Sequence, residues 1–432
     1  MPGASKPSLM APILLADADY YGTLAATRSL GARSIPVYVA SDRLLAASRW
    51  SRFATRALAA PPIADALHFL DWLCDLGVRE PGIVLYPTSD DVAYLYALRE
   101  AELSRTFKMY QPGVDAILRV LDKKSLYAAA REAGLPTPET WFPESDADVA
   151  RIAREAPFPL LIKSRTQVLS RTHTKGVIVK EPGALVGSYR EFVASSRYGK
   201  PLLERFPDAV QAMIQTYLPT AANRIHMLAS FLDRTGSLFA SRAAVKILQR
   251  PRTLGVGLCF EGAALNPDVV AGARRLAHNT GYFGVFSIEF IENDGRYLLI
   301  DFNPRFYNQL AFDVARGFAV PEIVYAAATG SQDEMARLLN VEPRTNGQDL
   351  VFCNTFGMDL MLLAQRISGH ISAADRERWR RWREEHRELT VDPTAVPDDI
   401  LPALVDAAAQ LYGYARHPRA FVRAIMLDRA TY

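Results

Sequence analysis

Between residues 286 and 309 the chain reads FSIEFIENDGRYLLIDFNPRFYNQ, two runs of aromatic and branched apolar residues at strand spacing. Glu289, Asp301 and Asn303 interrupt that pattern with two carboxylates and an amide, which are costly in a buried strand unless something compensates them. Such a trio suits a hard divalent cation, and Mg2+ commonly takes one or two carboxylates together with phosphate and water oxygens. Arg305, just past Pro304, carries a planar guanidinium suited to a phosphate or a developing oxyanion. The chemistry within reach is metal-assisted work on a phosphate; the competing reading is a salt-bridged cluster that holds no metal.

For these groups to meet, the two strands must pair in the right register. A three-residue loop of Asn293, Asp294 and Gly295 pairs 292 with 296 and sets Glu289 diagonal to Asp301 on one face. A two-residue Asp294-Gly295 turn would instead pair Glu289 with Ile300 and part the carboxylates, so the longer loop is expected. Alternation alone puts Asp301 and Asn303 on one side.

Upstream, PILLADADYYGTLAATRSLGA reads as a strand, an acidic loop and an amphipathic helix, and IPVYVAS and GIVLYPTSDDVAYLYALREAEL continue the alternation, as in an open α/β domain. Residues 17–22 and 88–91 fall at the carboxyl ends of strands, where such sheets take ligands, although Ser89 and Asp90 could simply cap the helix that follows. No Gly-x-Gly-x-x-Gly turn is present, which argues against a dinucleotide oxidoreductase. From about Val114 the pattern changes to the helix LDKKSLYAAAREAG, the strand FPLLIKSR, the polar loop TQVLSRTHTKG and the strand AVQAMIQTYLPT. HMLASFLDRTGSLFASRAAV joins FSIEFI and YLLIDFN in an antiparallel sheet. Past about Gly330, ISAADRERWRRWREEHREL is a solvated charged helix docked through Trp379 and Trp382, followed by one or two further amphipathic helices.

The chain has 432 residues, 49% apolar and 22% charged, with a net charge of +3, which excludes disordered and fibrous classes and gives no call for nucleic acid or an anionic membrane. Cys74, Cys259 and Cys353 suit free thiols in a reducing compartment. With no signal-peptide run and no apolar stretch near the roughly 20 residues of a membrane helix, a cytoplasmic location is expected. The histidines lack metal-ligand spacing, and no Gly-x-Ser-x-Gly elbow appears.

The run E-(x)11-D-x-N-P-R resembles the metal-binding end of the ATP-grasp superfamily, and other parts follow in the expected order over about residues 1 to 330. The resemblance implies a mixed α/β and α+β chain: an N-terminal open α/β (pre-ATP-grasp) domain over 1–113, an ATP-grasp domain over 114–330 with a lid near 138–214, and a helical C-terminal extension over 331–432 that has no counterpart. It implies that Lys123, or its neighbour Lys124, and Lys163 contact ATP phosphates, and that Gln215, Thr216, Tyr217 and Leu218 form the adenine hinge. Glu289, Asp301 and Asn303 would hold Mg2+, with Mn2+ able to stand in, and Arg305 would steady an acyl phosphate. Arg242 and Lys246 would meet the substrate carboxylate, unless they are surface-strand residues.

The implied activity is an ATP-dependent ligase joining a carboxylate to an amine through an acyl phosphate and releasing ADP and phosphate. The alternatives are a carboxylase or kinase on the same site, or a catalytically silent nucleotide-binding or scaffold protein. Partners would be small-molecule carboxylates and amines, amino acids among them, with no nucleic acid and no membrane; the C-terminal helices could supply a homodimer surface. Four departures stand out. Phosphate contact after Lys163 would fall to Ser170, Thr172, Thr174 or Lys175 in place of glycines; Asn223 would replace an acidic ribose partner; and Gln215 and Asp301 stand where Glu is frequent.

Overall fold

Five short strands, β1 (Ile13–Leu15), β2 (Val37–Ser41), β3 (Arg56–Ala59), β4 (Val84–Leu85) and β5 (Lys108–Met109), pair wholly in parallel in the order β3-β2-β1-β4-β5. β1 is apolar at every position because both faces are covered: Leu14 enters one core while Ile13 and Leu15 enter another. The strand order reverses between β1 and β4, so the loops that follow them open a crevice at their carboxyl ends. The structure is a computed structural model that describes residues 10–171, 176–222, 224–251, 255–340 and 349–426.

A second, antiparallel sheet follows, of β6 (Thr140–Trp141), β7 (Leu160–Ser164), β8 (Val177–Val179) and β9 (Ala212–Thr216) in the order β6-β9-β7-β8. Leu160, Ile162 and Ile214 pack beneath the helices Asp146–Glu155 and Leu185–Ser195. Strand alternation therefore turns Leu161, Lys163 and Gln215 to the opposite face. This sheet spans the segment expected as a lid.

The third sheet runs β14-β13-β10-β11-β12-β15-β16, comprising β10 (Ile225–Leu232), β11 (Phe239–Arg250), β12 (Val256–Ala263), β13 (Gly284–Asn293), β14 (Arg296–Asn303), β15 (Val351–Cys353) and β16 (Thr390–Val391). Its pairs are antiparallel except β15 with β16. The C-terminal extension is helical, with Thr355–Ile367, Ala373–Glu385 and Leu401–Arg416 its longest helices, and it also adds the two edge strands β15 and β16. Trp379 is buried, and Trp382 Nε1 donates to Glu261 Oε1 on β12 at 2.6 Å, so the charged helix docks through its tryptophans. All three cysteines are free thiols, although Cys259 and Cys353 face each other across β12 and β15 with their sulfurs 3.5 Å apart. Among the described residues no helix is long and apolar enough to cross a membrane.

Candidate functional site

The hairpin of β13 and β14 closes differently from the expectation. Asn293 pairs with Arg296, and Asp294 (φ 50°) and Gly295 (φ 73°) alone form the turn, both in the left-handed region, which is the geometry favoured for two-residue hairpin turns. That register holds as far as Phe290 opposite Leu299 and then slips, so that Glu289 faces Asp301 and Ser287 faces Asn303. Ile300 is the extra residue, a β-bulge. The three-residue loop is therefore incorrect, and so is the inference that a two-residue turn must part the carboxylates: the bulge brings Asp301 directly opposite Glu289, and Ile300 and Asp301 both line one cleft.

Each of these oxygen donors has a basic partner. Lys123 Nζ donates to Asp301 Oδ1, Lys246 Nζ to Glu289 Oε2 at 3.1 Å, and Arg305 Nη2 to Asn303 Oδ1 at 2.8 Å. Arg305 Nε also donates to Asp90 Oδ1 at 2.9 Å, tying β14 to the N-terminal crevice. Burial opposes the charge on Lys123, but the adjacent Asp301 outweighs it and holds the ammonium above its ordinary value. Burial likewise pushes Asp301 up, while Lys123 and then Lys163 pull it below the usual carboxylate value. Glu289 Oε1 and Asp301 Oδ2 accept no hydrogen bond from the described residues. Lys163 forms no ion pair among them either; burial lowers its pKa, offset only in part by Asp301.

Lys123 owes its position to the residue before it. Asp122 caps the helix Lys123–Glu132 by accepting from Ser125 N at 3.1 Å, and its carboxylate is gripped on both oxygens by Arg165, Nε at 2.9 Å and Nη2 at 3.0 Å. Lys123 N in turn donates to Arg165 O at 2.9 Å, so the first turn of the helix is fastened to the end of β7. Lys124 points outward to Glu144, which leaves Lys123 as the lysine at the site.

The cleft, about 430 Å3, is lined by Lys163, residues 215–218, Lys246, Glu289, Asp301, Asn303 and Arg305. Leu161, Leu218, Met227, Ile291 and Ile300 give it apolar walls on both sides. Lys123 stands behind Asp301. Arg242 does not line the cleft: its guanidinium lies over the Phe318 ring at 5.2 Å and donates to Ser241 O at 2.9 Å. The Gln215 amide is consumed inside the protein, donating to Tyr127 OH at 3.1 Å and Thr140 Oγ1 at 2.9 Å, whereas Thr216 Oγ1 is buried with no partner. Thr172, Thr174, Lys175 and Asn223 lie outside the described residues.

No family model matches the chain, and no curated protein matches it in sequence. Solved structures do. The biotin carboxylase domain of Hydrogenobacter thermophilus 2-oxoglutarate carboxylase superposes with a TM-score of 0.59 at 16% identity, over 75% of this chain and 70% of that one. N5-carboxyaminoimidazole synthetase from Staphylococcus aureus, complexed with ADP, gives 0.59 at 15% identity, over 85% and 88%. L-amino acid ligase from Bacillus licheniformis gives 0.57 at 12%, over 74% and 76%. The chain has the ATP-grasp fold.

In this cleft the N-terminal domain supplies a wall that sequence reasoning located only as loops. Tyr20 and Asp90 line it, and behind them burial pushes the Asp17 carboxyl up to about 6 and that of Asp91 up to about 7. Asn308 and Gln309 also line the cleft, and nothing in their spacing signalled it. Among the described residues no group of three or more His, Cys, Asp or Glu side chains is placed to hold a metal ion.

Proposed function

We propose that the protein is an ATP- and Mg2+-dependent ligase that joins a carboxylate to an amine through an acyl phosphate, releasing ADP and phosphate. One observation carries this reading: the Lys163 ammonium, with no ion partner among the described residues, shares a cleft with two carboxylates that each keep one oxygen free of hydrogen bonds from those residues. A nucleotide phosphate with a cation supplies both complements. The likeness to structures solved with MgADP and with ADP supports the same nucleotide here.

Glu289, Asp301 and Asn303 fit a magnesium ion shared with ATP, because Mg2+ keeps incomplete protein coordination beside phosphates. Bound there, the ion would neutralise phosphate oxygens as charge shifts from the γ-phosphate to the leaving ADP. Lys163 and Lys123 balance the remaining negative charge. The backbone of residues 215–218, beside Leu161, Met227, Ile291 and Ile300, would receive the adenine ring. A substrate carboxylate oxygen attacks the γ-phosphorus, the bond to ADP breaks, and the amine nitrogen then attacks the acyl carbon, expelling phosphate and losing a proton. Arg305, oriented by Asp90 and Asn303, is the donor for the oxyanion of both steps. Closure of the β6–β9 sheet over the cleft would keep water from the acyl phosphate. Amino acids are the proposed substrates, and the free thiols support a cytoplasmic location.

A carboxylase is the second reading, favoured by the likeness to biotin carboxylase and carboxyaminoimidazole synthetase. An ADP-release screen over amino acids and bicarbonate, with hydroxylamine as the trapping amine, separates the two. An acyl hydroxamate formed with an amino acid supports the ligase; ADP release that requires bicarbonate, with no amino-acid hydroxamate, supports the carboxylase. Either activity must vanish in Asn303→Ala and survive in Lys124→Ala. ADP release that persists in Asn303→Ala removes the assignment.

A further inference from the structure

A second cavity, a groove of about 530 Å3, lies on the C-terminal extension between the helices Thr355–Ile367 and Ala373–Glu385. Arg366 of the first helix lines it, with Arg376, Arg380 and Arg383 of the second and Arg387 of the turn that ends it, against a single carboxylate, that of Glu384. Positions 376, 380, 383 and 387 recur at helical spacing, which brings them to one face. Leu362, Leu363 and Trp379 line the same groove, and the buried Trp379 Nε1 has no hydrogen-bond partner among the described residues.

Charge is sorted about this groove. Arg380 is answered by Glu377 at 2.7 Å and by Glu384 at 3.1 Å, and Arg383 by Asp359. Arg378 and Arg381, on the same helix but outside the groove, are paired too, with Asp375 at 3.3 Å and Glu377 at 3.6 Å. Arg366, Arg376 and Arg387 have no carboxylate partner among the described residues, and all three line the groove. Glu385 and Glu388 have no ionic partner among those residues either, yet neither lines it. Helix stability is served by setting opposite charges one turn apart. Gathering uncompensated guanidiniums on one concave surface opposes it, and focuses a positive field there that an anion would neutralise.

We propose that this groove binds a small organic anion carrying two or more phosphate or carboxylate groups. The planar donors of Arg366, Arg376 and Arg387 suit either group, and the leucine and tryptophan side chains suit the frame that carries them. A nucleic-acid strand is a poorer fit, because its phosphates would run on past the groove to the exposed carboxylates of Glu377, Glu385 and Glu388. The groove shares no residue with the cleft that holds Lys163 and Asp301, so it stands or falls independently of the proposed reaction.

Calorimetric titration of the full chain with pyrophosphate and with citrate, at low salt and without Mg2+, tests it. At least one probe is expected to bind with a Kd below about 1 mM. Arg376→Gln with Arg387→Gln should weaken that binding by at least about tenfold, and Arg366→Gln, on the facing helix, should weaken it as well. Lys163→Gln in the cleft and Arg381→Gln outside the groove should leave it unchanged, with circular dichroism the same throughout. A preference for pyrophosphate or for citrate supports the site and names its anion. The proposal is overturned if neither probe binds, if binding survives the groove variants, if Arg381→Gln weakens it equally, or if a DNA duplex binds through the same arginines more tightly than either probe.

Discussion

Asp301 stands directly opposite Glu289 only because Ile300 is bulged out of the pairing between them. The bulge lets an apolar wall residue and a carboxylate follow one another on the cleft side of β14, where strict alternation would allow only one of the two. Asp301→Asn keeps this shape and removes the charge. It is expected to lower ADP release by about 10²-fold or more with little change in far-ultraviolet circular dichroism, measured under saturating nucleotide.

Asp122→Ala should act through Lys123. The change leaves Arg165 buried without its carboxylate and removes the cap of the helix Lys123–Glu132. A stability loss of about 3–5 kcal/mol is expected by urea unfolding, together with a raised KM for ATP. Asp122→Asn, which retains the cap, should recover part of the stability.

Gly22 allows the first helix to approach the loop after β14, since a Cβ there would lie 2.6 Å from the Tyr307 carbonyl oxygen. Gly22→Ala is expected to cost about 1–3 kcal/mol and to reduce turnover, because the same loop carries Arg305. Gly31→Ala, whose Cβ would meet Phe53 at 2.7 Å, should cost stability without altering kcat.

Asp91 gives the molecule a pH signature. Its carboxyl, raised by burial to about 7 from 3.8, binds a proton in the native state across a range where the unfolded chain has lost it. The contribution of Asp91 to stability therefore falls as pH rises from about 4 to about 7 and then levels. Asp91→Asn, still able to accept the Leu169 N–H bonded at 2.6 Å, removes that penalty. Its thermal midpoint should exceed the wild-type value by more at about pH 8 than at about pH 4; a gap that stays constant or shrinks would refute the cause given.

Gln215→Glu tests whether the hinge amide is structural. Tyr127 OH and Thr140 Oγ1 accept from Gln215 while donating to the carbonyls of Ile300 and Pro138, so a carboxylate at 215 would face two groups whose hydrogens are already committed. A loss of about 1–3 kcal/mol is expected, read by thermal unfolding without nucleotide.

The amino-acid order alone determined the strand and helix alternation of the N-terminal segment, the strands β7, β9, β10, β11, β13 and β14, and the residue types that carry charge in the β13–β14 hairpin, but not the strands β15 and β16 of the C-terminal extension. These follow from periodicities of two and of about 3.6 residues, which a chain displays locally. Tertiary structure decided the rest. Whether Asp294 and Gly295 turned alone or with Asn293 was settled by pairing along the whole of β13, and the resulting slip at Ile300 has no local signature. Lys123 meets Asp301 across 178 residues and Arg305 meets Asp90 across 215, while Arg242, equally charged and only four residues from Lys246, lies outside the cleft. Counter-ions are chosen by which elements come to rest side by side. That is a property of packing, and side-chain spacing along one strand carries no record of it.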